Sequence, residues 1–148
     1  GSGIEHDPLH SILTARFTCS RGVSHELVRH RAMSFTQEST RYVSYNNIEV
    51  ITPYWYPDEK YMDAFSDSNH EAEHCYQMYR QAGAPAQVAR SALNNDTKTE
   101  VVMTGTPYMW KDFLDLRTDK AAHPDICLLA EKFKDTEEWQ EWEVWVNE

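Results

Sequence analysis

Three prolines divide the second half of the chain. Pro85 follows Gly83-Ala84, Pro107 follows Thr106, and Pro124 follows His123. Proline lacks the N–H that a helix interior uses, but its fixed φ suits the first helical position. Apolar residues follow each one at helical spacing. They are Ala86, Val88, Ala89, Ala92 and Leu93 after Pro85, and Met109, Trp110, Phe113, Leu114 and Leu116 after Pro107. Ile126, Leu129, Ala130 and Phe133 follow Pro124. A short helix is therefore predicted to begin at each proline, with Arg117 near the end of the second. Ahead of Pro85, residues 68–82 predict an amphipathic helix capped by Ser68, with Gly83 suited to the position just past its end.

The first half reads differently. Residues 12–19, "ILTARFTC", predict a strand, and Ser20 is placed to cap a helix over about 21–31 with Val23, Leu27 and Val28 inward. Arg29, His30 and Arg31 would then lie on its last turn. "MSFTQEST" reads as a polar loop, and "RYVSYNNIEVITPYWY" as extended or strand-like chain. The tail spaces Trp139, Trp142 and Trp145 by three among glutamates, as an acidic helix against the body or an oligomer contact.

A chain of 148 residues suits one core and no more. The expectation is a single α+β domain over residues 4–148, with one small sheet and four or five helices, after a cloning remnant at residues 1–3. No apolar run reaches the length of a membrane span, and no signal peptide is read. Cys19, Cys75 and Cys127 are odd in number and widely spaced, which speaks for small apolar roles in a reducing cytoplasm.

Net charge is −10, which disfavours a nucleic-acid polymer as partner. Yet residues 16–41 hold five arginines (16, 21, 29, 31 and 41) against Glu26 and Glu38, and no lysine. That stretch is +3 and the remainder −13. Arginine without lysine points to planar, bidentate recognition of phosphate or carboxylate, hence a small anionic ligand.

Two motifs compete for the chemistry. "HEAEH" matches the H-E-x-x-H pattern: His70 and His74 fall one turn apart and could bind zinc, with Glu71 as base. It is short, lacks an evident third ligand, and reads equally as solvated helix surface. The second is Arg29-His30-Arg31, seven residues, then Ser39, followed by Thr40-Arg41-Tyr42. With its flanks, "RGVSHELVRHR" and "SFTQESTRYV", this resembles the flavin-dependent thymidylate synthase family. Further resemblance follows in order. "GAPAQVARSAL", residues 83–93, places Arg90 at the nucleotide, and "WKDFLDLRTDKAAHPDI", residues 110–126, places Arg117 at the nucleotide base.

The resemblance implies that family's fold, with a mostly antiparallel sheet. It also implies conversion of deoxyuridylate (dUMP) to thymidylate with methylenetetrahydrofolate, FAD reduced by NADPH, and a homotetramer with FAD at subunit interfaces. By the same carry-over, Glu26, Arg29, Gln37, Glu38, Ser39, Thr40, Arg41, Arg90 and Arg117 serve dUMP, with Arg117 catalytic. Arg29, His30, Arg31, Gln37 and Asp112 serve FAD, and no metal is implied. Ser39 has no base paired with it in sequence and is not read as a nucleophile. Three departures stand out. Asp112 brings a negative charge where the family often has Asn or His. Asn94 replaces a proline, and Glu26 and Gln37 stand where Gln and Glu are common. "HDPLH", residues 6–10, only partly matches the family's N-terminal flavin-contact segment. Two alternatives stay open: a non-catalytic FAD or nucleotide binder of the same fold, and a zinc hydrolase built on His70, Glu71 and His74.

Overall fold

A computed structural model describes residues 7–30, 32–37 and 48–147. Three strands, β1 (Leu13–Ser20), β2 (Ser34–Gln37) and β3 (Lys98–Gly105), form an antiparallel sheet in the order β1-β3-β2. The helices among the described residues are α1 (Arg21–Leu27), α2 (Glu59–Gln81), α3 (Ala86–Ala89), α4 (Pro107–Arg117), α5 (Pro124–Lys134) and α6 (Glu137–Val146). The α+β class is as expected. The helix count among the described residues exceeds the four or five anticipated because the tail, open in the sequence between a helix and an oligomer contact, forms α6.

Packing resolves the chain into two compact units. One comprises Gly1–Phe17, Leu27–Thr36 and Val102–Glu148; the other comprises Thr18–Glu26 and Gln37–Val101. The first is built on aromatics. Trp110 is fully buried, stacks on Phe133 with centroids 4.2 Å apart, and meets Phe113 edge-on at 5.5 Å. Its indole N–H donates to the Leu13 carbonyl at 3.0 Å, which satisfies the one polar atom of the ring. Trp139 joins through Phe133 at 5.7 Å. Thr106 Oγ1 accepts from the Met109 N–H and Pro107 takes the first turn of α4, as the sequence predicts. Leu116 is exposed, against expectation. It stands about 200° around the helix from buried Leu114, so both cannot face one core.

The second unit centres on Tyr76, Ala89 and Leu93, with Ile48 and Ala92 against them. Helix α2 begins at Glu59 with Asp58 as its cap, ten residues before the predicted Ser68. Ser68 lies within the helix, its hydroxyl donating to the Phe65 carbonyl. Gly83 has φ +88°, its N–H bonds to the Arg80 carbonyl and that of Ala84 to the Tyr79 carbonyl. Those two bonds are a Schellman stop, and they explain the glycine. Asn69 Nδ2 donates to Asp96 and Asn94 Nδ2 donates to Asn69 Oδ1, tying α2 to the segment before β3.

Two predicted boundaries move near the arginine motif. Ser20 caps α1 as expected, its Oγ accepting from the Val23 N–H at 3.2 Å. The helix ends at Leu27, however, four residues short of Arg31. Val28 and Arg29 turn the chain, with the His30 N–H on the Leu27 carbonyl, and Val28 is exposed. The following "polar loop" contains β2, whose largely exposed polar residues suit an outer strand of the sheet. Of the extended segment expected over 41–56, residues 41–47 lie outside the described residues. Val50 makes an isolated bridge to Thr97, and the chain from Tyr54 to Pro57 forms turns.

Candidate functional site

In the first unit, the early end of α1 releases His30 from the helix and lets its ring pack on α4. Phe113 and Arg117 lie one turn apart there, on one face of that helix. His30 meets the Phe113 ring edge-on, centroids 5.0 Å apart, and Arg117 Nε donates to His30 Nε2 at 2.8 Å. Nε2 must carry a lone pair to accept, so the neutral ring holds its proton on Nδ1. Burial, and secondarily the Arg117 charge, hold the His30 pKa below its ordinary value. The two groups form a cation seated on a neutral base. The sequence singles out both residues as candidates but places His30 on a helix, where this contact is not foreseen.

Arg29 and Asp112 belong to the same unit and both are exposed. The Arg29 side chain has no hydrogen bond or ion pair among the described residues. Asp112 adjoins Lys111, whose pKa is raised by its bond to Asp115 and, more weakly, by Asp112.

In the second unit, Gln37 Nε2 donates to Ser24 Oγ at 2.7 Å, and Ser24 Oγ donates to the Arg21 carbonyl at 2.8 Å. Ser24 is fully buried, and sequence reasoning passed over it. The one signal was a small hydroxyl between two inward residues of α1, Val23 and Leu27. Arg21 Nη1 donates to the Leu93 carbonyl at 3.1 Å, so this arginine of the cluster is structural. Glu26 lies on α1, half-buried. Arg90 closes α3 with an exposed side chain that has no hydrogen bond or ion pair among the described residues. Arg31, Glu38, Ser39, Thr40 and Arg41 lie outside the described residues, as does His6; His10 is exposed and pairs with Asp7 at 2.6 Å.

The competing motif finds less support. His70, Glu71 and His74 are exposed on α2, and Glu71 Oε1 accepts from Cys75 Sγ at 3.3 Å. Among the described residues no three His, Cys, Asp or Glu side chains gather to hold a metal. Cys19 is buried as expected, its thiol pushed up to about 12 by burial, while Cys75 and Cys127 are free and half-buried. No helix of the described residues is long and apolar enough to cross a membrane.

Comparison with known proteins adds an independent line. Residues 8–140 match the family model of the thymidylate synthase complementing protein. The chain is similar to the flavin-dependent thymidylate synthase of Mycolicibacterium gilvum, 30% identical over 145 residues, covering 87% of this chain and 57% of that protein. The protein of the same name from Corynebacterium aurimucosum is 30% identical over 149 residues, 86% of this chain and 59% of its own length. That of Thermococcus onnurineus is 32% identical over 138 residues, 89% and 56%. The chain thus spans rather more than half the length of these relatives. The match runs from before β1 into α6 and takes in the arginine motif, Arg90 and the His30–Arg117 contact, so this chain belongs to the thymidylate synthase complementing protein family.

Proposed function

We propose that the protein is a flavin-dependent thymidylate synthase that methylates dUMP reductively, with methylenetetrahydrofolate as one-carbon donor. One observation carries the reading beyond family membership: Arg117, the arginine assigned to the nucleotide base, is held through Nε by an uncharged ring. A guanidinium so held keeps its charge and its orientation. Arg29 and Arg90, exposed and without ion pairs among the described residues, suit phosphate-bearing ligands such as dUMP and FAD.

Arg29, His30, Arg31, Gln37 and Asp112 would hold FAD. Bound FAD supplies the reducing equivalents, drawn from NADPH. The chain's own residues bind and orient. Ser39, Thr40, Arg41 and Arg90 take the nucleotide phosphate, with Glu26, Arg29, Gln37 and Glu38 around the nucleotide. Arg117 stabilises negative charge as uracil N3 ionises, which makes carbon 5 nucleophilic; always protonated, it acts as charge and donor, not as a proton shuttle. Residues 4–148 act as one domain, in a cytoplasmic homotetramer that completes the site.

The test is a titration of dUMP into FAD-reconstituted protein, following the flavin absorbance band. A saturable spectral change is expected; a flavin that ignores the nucleotide would sink the reading. Asp112, an exposed carboxylate assigned to the flavin side, favours a second reading, a binder without turnover. That reading predicts the same titration but no thymidylate from the complete mixture.

A further inference from the structure

Resting on the assignment of Arg117 to the nucleotide base, we propose that His30 is a positioning residue for Arg117: its ring accepts from the guanidinium Nε only while neutral, so nucleotide binding weakens when His30 takes up a proton. The geometry carries this. Arg117 Nε donates to His30 Nε2 at 2.8 Å, and the ring is braced edge-on against Phe113, which is itself almost fully buried. The His30 backbone is fixed on both sides, its N–H on the Leu27 carbonyl and its carbonyl on the Met33 N–H. A guanidinium is planar, so tying Nε fixes the plane in which its Nη groups lie. That plane decides whether the arginine meets a uracil edge squarely, and small misplacements at a reacting group are costly.

Protonation dismantles the arrangement. Both ring nitrogens become donors, the acceptor for Arg117 Nε is lost, and two cations face each other across one hydrogen-bond distance. Among the described residues, the charge acting on His30 is Arg117, from α4. On the same helix Lys111 is paired with Asp115, and Asp112 lies beside Lys111; Arg29, next in the chain, is exposed. Burial of the ring acts in the same direction as Arg117, keeping His30 neutral at neutral pH.

The experiment compares the FAD-loaded wild-type chain with His30→Gln and His30→Ala, measuring dUMP affinity by calorimetry from pH 5 to 8. Flavin absorbance in the same samples reports loading separately. Wild type is expected to lose affinity on the acid side, approaching about tenfold per pH unit below the folded pKa of His30. Glutamine supplies an acceptor that does not titrate, so His30→Gln, compared with its own affinity at pH 8, should lack that limb. Titration of the nucleotide phosphate remains and is common to all three proteins. His30→Ala should bind about tenfold or more weakly at every pH, as expected when a charge-assisted bond is lost. An acid limb in His30→Gln equal to that of wild type overturns the proposal, as does wild-type affinity in His30→Ala.

Nitrogen-15 NMR of the ligand-free chain decides the pair without any nucleotide. The expected result is an Nδ1–H tautomer for His30 and an Arg117 Nε signal that shifts as His30 titrates. An Nε2–H tautomer, or an Arg117 signal indifferent to that titration, overturns the proposal. Failure of wild type to bind dUMP at pH 8 would instead remove the synthase reading and leave the NMR result to judge the pair.

Discussion

Trp110→Ala should nearly unfold the protein. Trp110 is wholly buried, with Phe133 stacked at 4.2 Å, Phe113 at 5.5 Å and Phe17 at 6.0 Å. Truncating a core aromatic to alanine costs about 3–5 kcal/mol through lost transfer energy and the cavity left behind. The Leu13 carbonyl also loses its indole donor, at about 1 kcal/mol for a half-buried acceptor. Together these give about 4–6 kcal/mol, against about 5–15 for the global stability of an ordinary domain. Trp110→Phe keeps a ring against Phe133 and loses the hydrogen bond and part of the volume, so about 1–3 kcal/mol is expected. Urea unfolding followed by circular dichroism reads both. With a slope of about 2 kcal/mol/M, Trp110→Phe should move the midpoint down by about 0.5–1.5 M and Trp110→Ala by about 2 M or more. A shift below about 0.5 M in Trp110→Ala would show that α4 does not pack on this aromatic cluster.

Gly83→Ala should cost about 1–2 kcal/mol by thermal denaturation, because φ is +88° and strain is the whole penalty: no atom lies within 4 Å of an added Cβ. Arg90→Ala should leave stability within about 0.5 kcal/mol, its side chain being exposed, while dUMP affinity by calorimetry falls about tenfold or more. Asp112→Asn removes the negative charge from the proposed flavin side and should tighten FAD binding in a fluorescence titration; unchanged or weaker binding would remove Asp112 from that site. The His30 pKa is lowered from 6.5, so the unfolded chain binds the proton more readily. Stability should be full above pH 6.5 and decline as pH falls through the folded pKa, a loss absent from His30→Gln in urea unfolding at successive pH values.

Helix starts were legible wherever proline and a capping residue coincided. Thr106-Pro107 and His123-Pro124 open α4 and α5 where the sequence puts them, and the stop at Gly83 follows from local chemistry. The start of α2 was not legible, because Ser68 offers the same capping chemistry as Asp58 and only tertiary packing chooses between them. The end of α1 was missed for the same kind of reason. Nothing local forbids helix through Arg31, but the contact of His30 with Phe113 and Arg117 joins residues 87 positions apart. The site showed the same split. Family resemblance singled out His30, Gln37, Arg90 and Arg117 as candidates, whereas the Ser24 link beneath Gln37 depends on a burial that α1 alone does not reveal.

The choice of partner for Arg117 bears on how an acidic protein keeps a basic site. With 24 carboxylate side chains against 14 lysines and arginines, pairing an arginine with an acid is the easy arrangement. The ion pairs of the described residues include Lys98 with Glu49, Lys111 with Asp115 and His10 with Asp7. Arg29 and Arg90 have none among the described residues, and Arg117 commits its Nε, one of several donors, to an imidazole. A carboxylate in place of His30 would hold Nε equally well but add a negative charge beside the proposed nucleotide site. A neutral ring fixes the direction of Nε and adds no charge of its own. The same logic makes histidine a conditional choice, because a single proton turns the anchor into a second cation.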